Sequence, residues 1–530
     1  MAEPACTLVR EELREVAETG ETYYYYPRSA ILRVLNSNDN LRRVYLCDCA
    51  SCRTDFNIGP DARLDNRHQT LDPEALLGNY ATVYALLICS QRPGLIRYFQ
   101  KHRTFLHGTT FFTRENLEFL TSESVRRTRS IIDDILRDQY SFQIRVMERS
   151  LEPITIHPRE MLPIRQDRQE IGRGSFGQVF GFEFSYDEYR GKGLQHATRF
   201  ARKIFFNSLN SSDVDAGLTE WFNNLQLERL QHGHLMPALM AFWHEGRFSI
   251  VFEQAQQTLD AYLESDGSLY SHEALWQQVQ GLAAGLAHLH GNGTEVIAHH
   301  GDLKPANILI VNGVMKIADF GLLQIHHRAQ LASNQPLTSD SYQLASTRPY
   351  AGPSGDKALM DVWSFGAILS EIATFNLEDS NALDRFRHSR LEDFPRDAPG
   401  FRTKGFHHDG RLKPSVARTI DELYELVRGG RQTQHGVHIS QFQQHFFTED
   451  FFSLLHQMLS DRLAECPSSQ HVANTLERLQ QQATQFQQHP VDRSDQRGDI
   501  WGDFTAGLVL PGTQGLGYRL EMRRTSGGTG

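Results

Sequence analysis

One stretch decides the fold of this chain: His300-Gly301-Asp302-Leu303-Lys304-Pro305-Ala306-Asn307-Ile308-Leu309-Ile310, followed closely by Asp319-Phe320-Gly321. It places two carboxylates, an ammonium group and a carboxamide within a short length of chain. A protein that transfers a phosphoryl group must orient the attacking hydroxyl, hold magnesium and neutralise charge on the phosphate oxygens, and these side chains suit those tasks. An acidic turn between two apolar strands would account for Asp302 alone, but not for both motifs at this spacing.

The order H-x-D-x-K-x-x-N followed by D-F-G resembles the catalytic loop and the metal-binding motif of eukaryotic protein kinases. The resemblance implies that Asp302 accepts the proton of the substrate hydroxyl and that Lys304 steadies the transferred phosphate. It also implies that Asn307 binds one magnesium ion and that Asp319 bridges magnesium to ATP. His300 is expected in the core, as in the family. The Lys304 position resembles the serine/threonine-specific pattern, and the H-G-D order resembles a group of fungal protein kinases.

A glycine-rich motif lies further towards the N-terminus and reads Ile171-Gly172-Arg173-Gly174-Ser175-Phe176-Gly177-Gln178-Val179. Glycine triplets of this kind also mark ordinary turns. Here a lysine-bearing strand follows, Phe200-Ala201-Arg202-Lys203, whereas a dinucleotide-binding fingerprint requires a helix directly after the glycines. The kinase resemblance implies that Lys203 holds the α- and β-phosphates. It implies nucleotide contacts for Ile171, Gly172, Gly174, Gly177 and Val179.

The stretch from Phe248 to Ala255 resembles the strand that leads into the kinase hinge. Phe252 is then expected at the gatekeeper position, and the backbone from Glu253 to Ala255 is expected to face adenine. A long helix should follow, because apolar residues repeat at three- and four-residue intervals. They are Leu275, Val279, Leu282, Leu286 and Leu289.

Three positions depart from the kinase pattern. Counting back from the end of the helix after Lys203, the glutamate that pairs with this lysine in kinases falls on Asn223. Glu220, about one helical turn earlier, is the alternative partner, and the sequence leaves the choice open. Ser354 replaces the glutamate that closes the activation segment, and Cys466 replaces its usual arginine partner. Losing both partners of a buried ion pair is far less costly than losing one.

A further kinase-like motif, Asp361-Val362-Trp363-Ser364-Phe365-Gly366, follows a polar segment rich in Ser and Thr. In the family this aspartate anchors the backbone of the catalytic loop. Val362 and Phe365 begin an apolar stripe at helical spacing, so a buried helix is expected here.

Residues 1–160 contain no motif of comparable strength and are expected to form a small helical domain. A helix should begin at Pro73, with Asp72 as its N-cap, and a second periodic stretch runs from 115 to about 140. The cysteines of Cys47-Asp48-Cys49-Ala50-Ser51-Cys52 are close enough to share a soft metal such as zinc, which needs a fourth ligand. His68 is one candidate for that ligand. Three clustered cysteines alone favour ordinary buried thiols.

Composition limits the alternatives. The chain has 530 residues, a formal net charge of −10 and six cysteines. The acidic balance argues against nucleic acid as the main partner, and the cysteines are too few for a disulfide framework. The longest apolar run noted, 80–89, is half a membrane span, and the N-terminus lacks the features of a signal peptide. The expectation is a soluble cytoplasmic protein, with the nucleus not excluded.

The sequence therefore predicts an α+β protein with a bilobal, protein-kinase-like fold and an N-terminal, mainly helical accessory domain. The expected divisions are the accessory domain at 1–160, the kinase domain at 165–485 and a disordered tail at 486–530. The predicted function is a protein serine/threonine kinase that uses ATP and Mg²⁺ on a protein substrate. The alternative is a pseudokinase scaffold, favoured by Asn223, Ser354 and Cys466. The N-terminal domain is a candidate surface for a protein partner.

Overall fold

The computed structural model places the N-terminal helices and a two-lobed unit in one compact body, residues 1–487. The parts of the chain that the structure describes are residues 3–19, 24–47, 49–50, 52, 73–106, 111–123, 125, 127–174, 176–186, 189–206, 212–292, 296–327, 349–353, 355–393, 405–408, 410–430 and 438–488.

The N-terminal part is helical and has its own apolar core, with Ile31, Tyr84, Phe99 and Ile135 among the buried residues. A small hairpin of β1 and β2 accompanies the helices. The bounds are α1 Ala5–Glu15, β1 Glu18–Thr19, β2 Tyr24–Tyr25, α2 Arg28–Asn36, α3 Asn40–Tyr45, α4 Ala81–Cys89, α5 Ile96–Lys101, α6 Phe119–Ser122 and α7 Thr128–Phe142. Short helical turns add Ser37–Asp39, Pro73–Ala75, Leu76–Tyr80, Pro93–Leu95 and Glu115–Leu117.

Both helices expected in this part are present, with local breaks. The first starts at Pro73 as predicted, although its Leu76–Tyr80 segment is a π-helix; Asp72 is outside the described residues. The periodic stretch from 115 to 140 is three helical segments instead of one. Arg127, whose φ of 59° is left-handed, immediately precedes α7. A non-glycine residue in that conformation interrupts an α-helix, and periodicity alone does not reveal it.

The smaller lobe is a six-stranded sheet with one long helix, as the kinase resemblance predicts. The strand order is β3-β7-β8-β6-β5-β4, and only β3 pairs in parallel, with β7. The bounds are β3 Ile154–Thr155, β4 Ile164–Arg173, β5 Gly177–Phe184, β6 Phe200–Phe205, α8 Ser212–Glu228, β7 Met240–His244 and β8 Arg247–Glu253. Helix α8 packs against β6 and β8, so its buried face looks towards the Lys203 strand.

The larger lobe is mainly helical, with three short sheets, β9-β11-β12, β10-β13 and β14-β15. Its strands are β9 Gln257–Thr258, β10 Val296–His299, β11 Ile308–Val311, β12 Val314–Ile317, β13 Gln324–His327, β14 His407–His408 and β15 Arg411–Leu412. Its helices are α9 Leu259–Leu263, α10 His272–Leu289, α11 Lys357–Leu377, α12 Ser380–Glu392, α13 Pro414–Arg428, α14 Gln441–Phe446, α15 Glu449–Met458 and α16 Ser469–Gln488. Short helical turns lie at Pro305–Asn307, Phe320–Leu322 and Leu463–Glu465. All five apolar residues used to predict α10 are buried.

Helix α11 corrects one expectation from the sequence. It is long and apolar enough to cross a membrane by length and composition, a property that no stretch of the chain was expected to have. Of its most apolar window, 83% is buried inside the protein. It also carries two buried carboxylates, Asp361 and Glu371, which hold polar partners in the lobe. Helix α11 is therefore the central core helix of the larger lobe.

The N-terminal part is attached to the smaller lobe by specific contacts. The backbone N–H of Arg28 donates to the Tyr189 hydroxyl at 2.9 Å, and Tyr25 is buried in the same apolar cluster as Ile164 and Phe182. Glu18 accepts a hydrogen bond from the Tyr186 hydroxyl. Two residues of the stretch before β4 form β3, which pairs with β7 at the edge of the six-stranded sheet.

Candidate active site

The catalytic loop lies between β10 and β11, and Asp361 of α11 holds its backbone. One carboxylate oxygen of Asp361 accepts from the His300 N–H at 2.7 Å, and the other accepts from the Gly301 N–H at 2.9 Å. His290 Nε2 lies 3.2 Å from the same carboxylate, a contact that the sequence did not suggest. Burial would raise the pKa of Asp361, but His290 and the loop amides outweigh it and hold the pKa low.

His300 is fully buried, as predicted, and its ring connects the catalytic loop to the start of the D-F-G turn. Its Nε2 lies 2.9 Å from the carbonyl of Ala318, and its Nδ1 accepts from the Asp302 N–H at 3.2 Å. Both nitrogens are satisfied by the single tautomer that carries its proton on Nε2. The histidine thus fixes the backbone that presents Asp302.

Asp302, Lys304 and Asn307 form one hydrogen-bonded group. Lys304 Nζ lies 2.8 Å from Asp302 Oδ2, and Asn307 Nδ2 lies 3.2 Å from the same oxygen. Asn307 Nδ2 also donates to the Asp302 carbonyl at 2.8 Å. The structure therefore brings together the predicted proton acceptor, the predicted phosphate-binding lysine and one predicted metal ligand.

Lys203 on β6 meets two carboxylates. Its Nζ lies 2.8 and 2.6 Å from the two oxygens of Glu220 and 2.9 Å from Asp319 Oδ1. Burial would lower the pKa of Lys203, but the charges of Glu220 and Asp319 outweigh that effect and raise it. Burial likewise would raise the pKa of Asp319, but the Lys203 charge outweighs it and lowers it. Lys203 and Asp319 are both charged at neutral pH.

The partner of Lys203 is Glu220, which decides the choice between Glu220 and Asn223 that the sequence left open. Asn223 lies further along α8 and donates to the carbonyls of Phe320 at 2.8 Å and Leu323 at 3.3 Å. Counting back from the end of the helix missed the pair because the facing direction of α8, not its length, decides which side chain meets the lysine. The chain retains the lysine–glutamate pair.

The two oxygen atoms needed for a divalent metal are present and available. Both atoms that Asn307 Nδ2 contacts are hydrogen-bond acceptors of Asp302, so the amide nitrogen faces Asp302 and the amide oxygen, Oδ1, points away from it. Neither this atom nor Asp319 Oδ2 accepts a hydrogen bond from any residue that the structure describes. Carboxylate and carboxamide oxygens are the donors that Mg²⁺ prefers. Asn307 and Asp319, the predicted metal ligands, therefore offer oxygen atoms that suit a divalent metal ion.

The glycine-rich motif forms the turn between β4 and β5, where the Gly174 N–H donates to the Gly177 carbonyl at 2.9 Å. A Cβ atom on Gly177 would lie 2.4 Å from the Ile204 carbonyl oxygen, so this position requires glycine. Gly172 and Gly174 have no such clash. Ile171 is 49% exposed, and Val179 pairs with Lys203 across β5 and β6.

The hinge follows β8, as predicted, and Phe252 lies at its end, packed against the cores of both lobes. The N–H groups of Gln254 and Gln256 donate to the carbonyls of Arg199 and Ile310. Between them, the Ala255 N–H donates to no group among the described residues. This donor is accordingly available to a ligand beside Glu253, where adenine is expected.

Several predicted positions are outside the described residues. They are Ser175 of the glycine-rich motif, residues 328–348 of the polar segment, Ser354 and His68. Cys466 is described and is buried, and its Sγ lies 3.4 Å from the Met458 carbonyl and 3.9 Å from that of Leu359.

The sequence did not predict the buried charge network in the larger lobe. Glu371 of α11 is fully buried and accepts from Arg387 and Arg390 of α12, each at 2.7 Å. The Tyr350 hydroxyl also donates to Glu371, at 3.0 Å. The available signal was an acidic residue within an apolar helix, which implies a buried partner but does not identify it. This network ties the end of the polar segment to the lobe.

These features define a protein-kinase fold, in which His300 connects the catalytic loop to the D-F-G turn and Lys203 meets Glu220 and Asp319. Residues 165–475, well over half of the chain, match the family model described as protein kinase domain, and the chain belongs to this family. Protein kinases use ATP with a divalent metal ion.

Several curated relatives share the same region. Cyclin-dependent kinase F-3 of Oryza sativa subsp. japonica is 30% identical over 216 residues, covering 39% of this chain and 44% of that protein. A probable serine/threonine-protein kinase of Dictyostelium discoideum is 28% identical over 272 residues, covering 48% and 49%. Cyclin-dependent kinase-like 4 of Homo sapiens is 28% identical over 221 residues, covering 38% and 53%. The chain spans about half the length of these relatives.

Proposed function

We propose that the chain is an active protein serine/threonine kinase that transfers the γ-phosphate of ATP to a protein hydroxyl in the presence of Mg²⁺. The observation that carries this proposal is the position of Lys203, within 3 Å of both Glu220 and Asp319. A kinase transfers phosphate only when the lysine–glutamate pair and the metal-binding aspartate are both in place.

Each residue has a defined task in this proposal. Lys203 holds the α- and β-phosphates, and Glu220 keeps the lysine aimed at them. Asn307 and Asp319 hold magnesium, which neutralises charge on the phosphate oxygens when bound. Asp302 orients the substrate hydroxyl and accepts its proton, and Lys304 stabilises the charge that develops on the transferred phosphate.

Serine/threonine specificity is supported by Lys304 in the D-L-K-P-x-N motif and by the printed names of relatives such as the Dictyostelium kinase. The pseudokinase alternative used Asn223 as one of its three arguments, and the pairing of Glu220 with Lys203 removes that argument. Ser354 and Cys466 remain; Cys466 lies against the carbonyls of Met458 and Leu359, and Ser354 is outside the described residues.

The test is transfer of labelled γ-phosphate to a generic serine- and threonine-containing protein, with phosphoamino-acid analysis of the product. Asp302→Asn should retain magnesium-dependent ATP binding, measured by calorimetry, while its rate of phosphate transfer falls about 10²- to 10⁴-fold. Asp319→Asn should lose the magnesium dependence of binding. Wild-type protein that binds ATP equally well with a chelator and transfers no phosphate would exclude the kinase activity. Transfer to tyrosine alone would exclude the specificity.

A further inference from the structure

Four cysteine side chains converge in the N-terminal helical part. Cys6 lies on α1, while Cys47, Cys49 and Cys52 belong to the C-x-C-x-x-C motif that follows α3. Their sulfur atoms all lie within 4.8 Å of one another. Cys6 is 43 residues from Cys49 in sequence, so the fold supplies a fourth thiol to a motif that contains only three.

The sulfur spacing is that of a tetrahedral metal centre. With zinc–sulfur bonds of about 2.3 Å, two sulfurs on a tetrahedron are about 3.8 Å apart. The Cys6 and Cys49 sulfurs are 3.6 Å apart. The structure describes all six cysteines of the chain and joins no two of them in a disulfide. Four thiols with sulfur atoms this close together are the ligand set of a closed zinc site.

The surroundings suit a centre with negative charge. Four thiolates and one Zn²⁺ leave two net negative charges, and Arg97 lines the same small cavity as Cys47 and Cys52. The Tyr84 hydroxyl is fully buried and has no hydrogen-bond partner among the described residues. Cys52 and Cys47 lie close enough to this hydroxyl to interact with it electrostatically. A cation and a buried O–H donor beside the thiolates are typical outer partners of a metal site.

We propose that Cys6, Cys47, Cys49 and Cys52 bind one zinc ion as a structural site. Four protein ligands leave no open position for a substrate, so the ion connects α1 to the segment after α3 and takes no part in catalysis. Binding forms four zinc–sulfur bonds and releases the protons of those thiols that are not already ionised; no electrons are transferred.

The other group of metal-ligating side chains among the described residues is His290, His299 and Asp361. Both oxygens of Asp361 already accept from the catalytic-loop backbone. That group therefore belongs to the architecture of the active site.

The test begins with elemental analysis of the full-length protein purified in reducing buffer without chelator. We expect about one zinc per chain. Zinc should be released in proportion to the number of thiols that react with a mercurial reagent, and release should be complete after four have reacted. Cys6→Ser and Cys49→Ser should each reduce the zinc content to near zero. Cys89→Ser, which alters a cysteine of the same part outside the cluster, should leave it unchanged.

A second measurement does not depend on the variants folding. Removal of zinc by a strong chelator should lower the melting temperature of the wild-type protein, and added Zn²⁺ should restore it. Protein that contains no zinc and is unaffected by the chelator would overturn the proposal. So would full zinc content in both cysteine variants, disulfides among the four residues, or iron in place of zinc.

Discussion

The choice between Glu220 and Asn223 as partner of Lys203 has a direct experimental consequence. Glu220→Gln keeps the size of the side chain but removes the charge that lies 2.6 Å from Lys203. Hydrogen bonds to charged groups contribute about 1.5 to 3 kcal/mol. If that energy is lost from the transition state, kcat/KM for ATP should fall about 10- to 150-fold. Lys203 remains paired with Asp319, so the domain should stay folded.

Replacing Asn223 with an acid separates the two interpretations. If Asn223 occupied the glutamate position, Asn223→Asp would strengthen the grip on Lys203 and raise activity. The structure predicts the reverse, because the amide donates to the carbonyls of Phe320 and Leu323. A carboxylate there would face two acceptors with no proton to share, and unsatisfied buried polar groups cost about 1 to 3 kcal/mol. We expect Asn223→Asp to lower activity.

The assay measures initial rates of phosphate transfer across ATP concentrations, with calorimetric ATP binding and circular dichroism on each variant. The matched control is Glu228→Gln, the same substitution in the same helix, because within the described ranges Glu228 pairs only with the surface residue Arg149. The control should behave as wild type. Normal kinetics in Glu220→Gln together with increased activity in Asn223→Asp would refute the assignment.

Three further predictions concern stability. Glu371→Gln should lower the free energy of unfolding by about 3 to 5 kcal/mol, because it breaks a fully buried ionic network, and the melting temperature by roughly 6 to 20 °C. The control is Arg385→Gln, on the surface of α12. Equally small effects of the two substitutions would contradict the role of the network. The pKa of His299 is lowered to about 4, first by burial and then by nearby His290. As the pH falls, His299 therefore becomes protonated in the unfolded chain before it does in the folded protein, so the free energy of unfolding should fall between about pH 6.5 and 4. His299→Gln should make stability depend less on pH in this range, and an unchanged pH dependence would count against the prediction. Ser354→Glu and Cys466→Arg should each destabilise the larger lobe, and the double variant should recover most of the lost stability in a thermal-unfolding double-mutant cycle. Strictly additive losses of stability would show that the two positions do not meet.

The last of these predictions has partial structural support. A Cβ atom on Gly355 would lie 2.7 Å from the Leu463 side chain, and the Cys466 thiol approaches the carbonyl of Leu359. The short link after Ser354 therefore lies against the segment that carries Cys466. This contact and the Tyr350–Glu371 hydrogen bond hold the region that an ion pair secures in the family.

The sequence by itself determined the family and the arrangement of the catalytic loop. Asp302, Lys304 and Asn307 lie within a few residues of one another, and a short loop between two strands has few ways to place them. The segment between Asn307 and Asp319 forms the antiparallel hairpin of β11 and β12, which brings Asp319 back beside the catalytic loop. The position of α10 was equally predictable, because burial on one helix face leaves a periodic apolar pattern.

Only the tertiary structure decided which distant side chains meet. Glu220 and Asn223 differ by about one helical turn, and the direction in which α8 faces β6 selects between them. Cys6 has no local sequence signal that connects it to the C-x-C-x-x-C motif, and Glu371 gives no indication of which arginines reach it. In each case the contact joins elements far apart in the chain, whose approach is set by the packing of whole helices and sheets. Local spacing encodes a loop, whereas a contact between separate elements exists only once the core that positions both has formed.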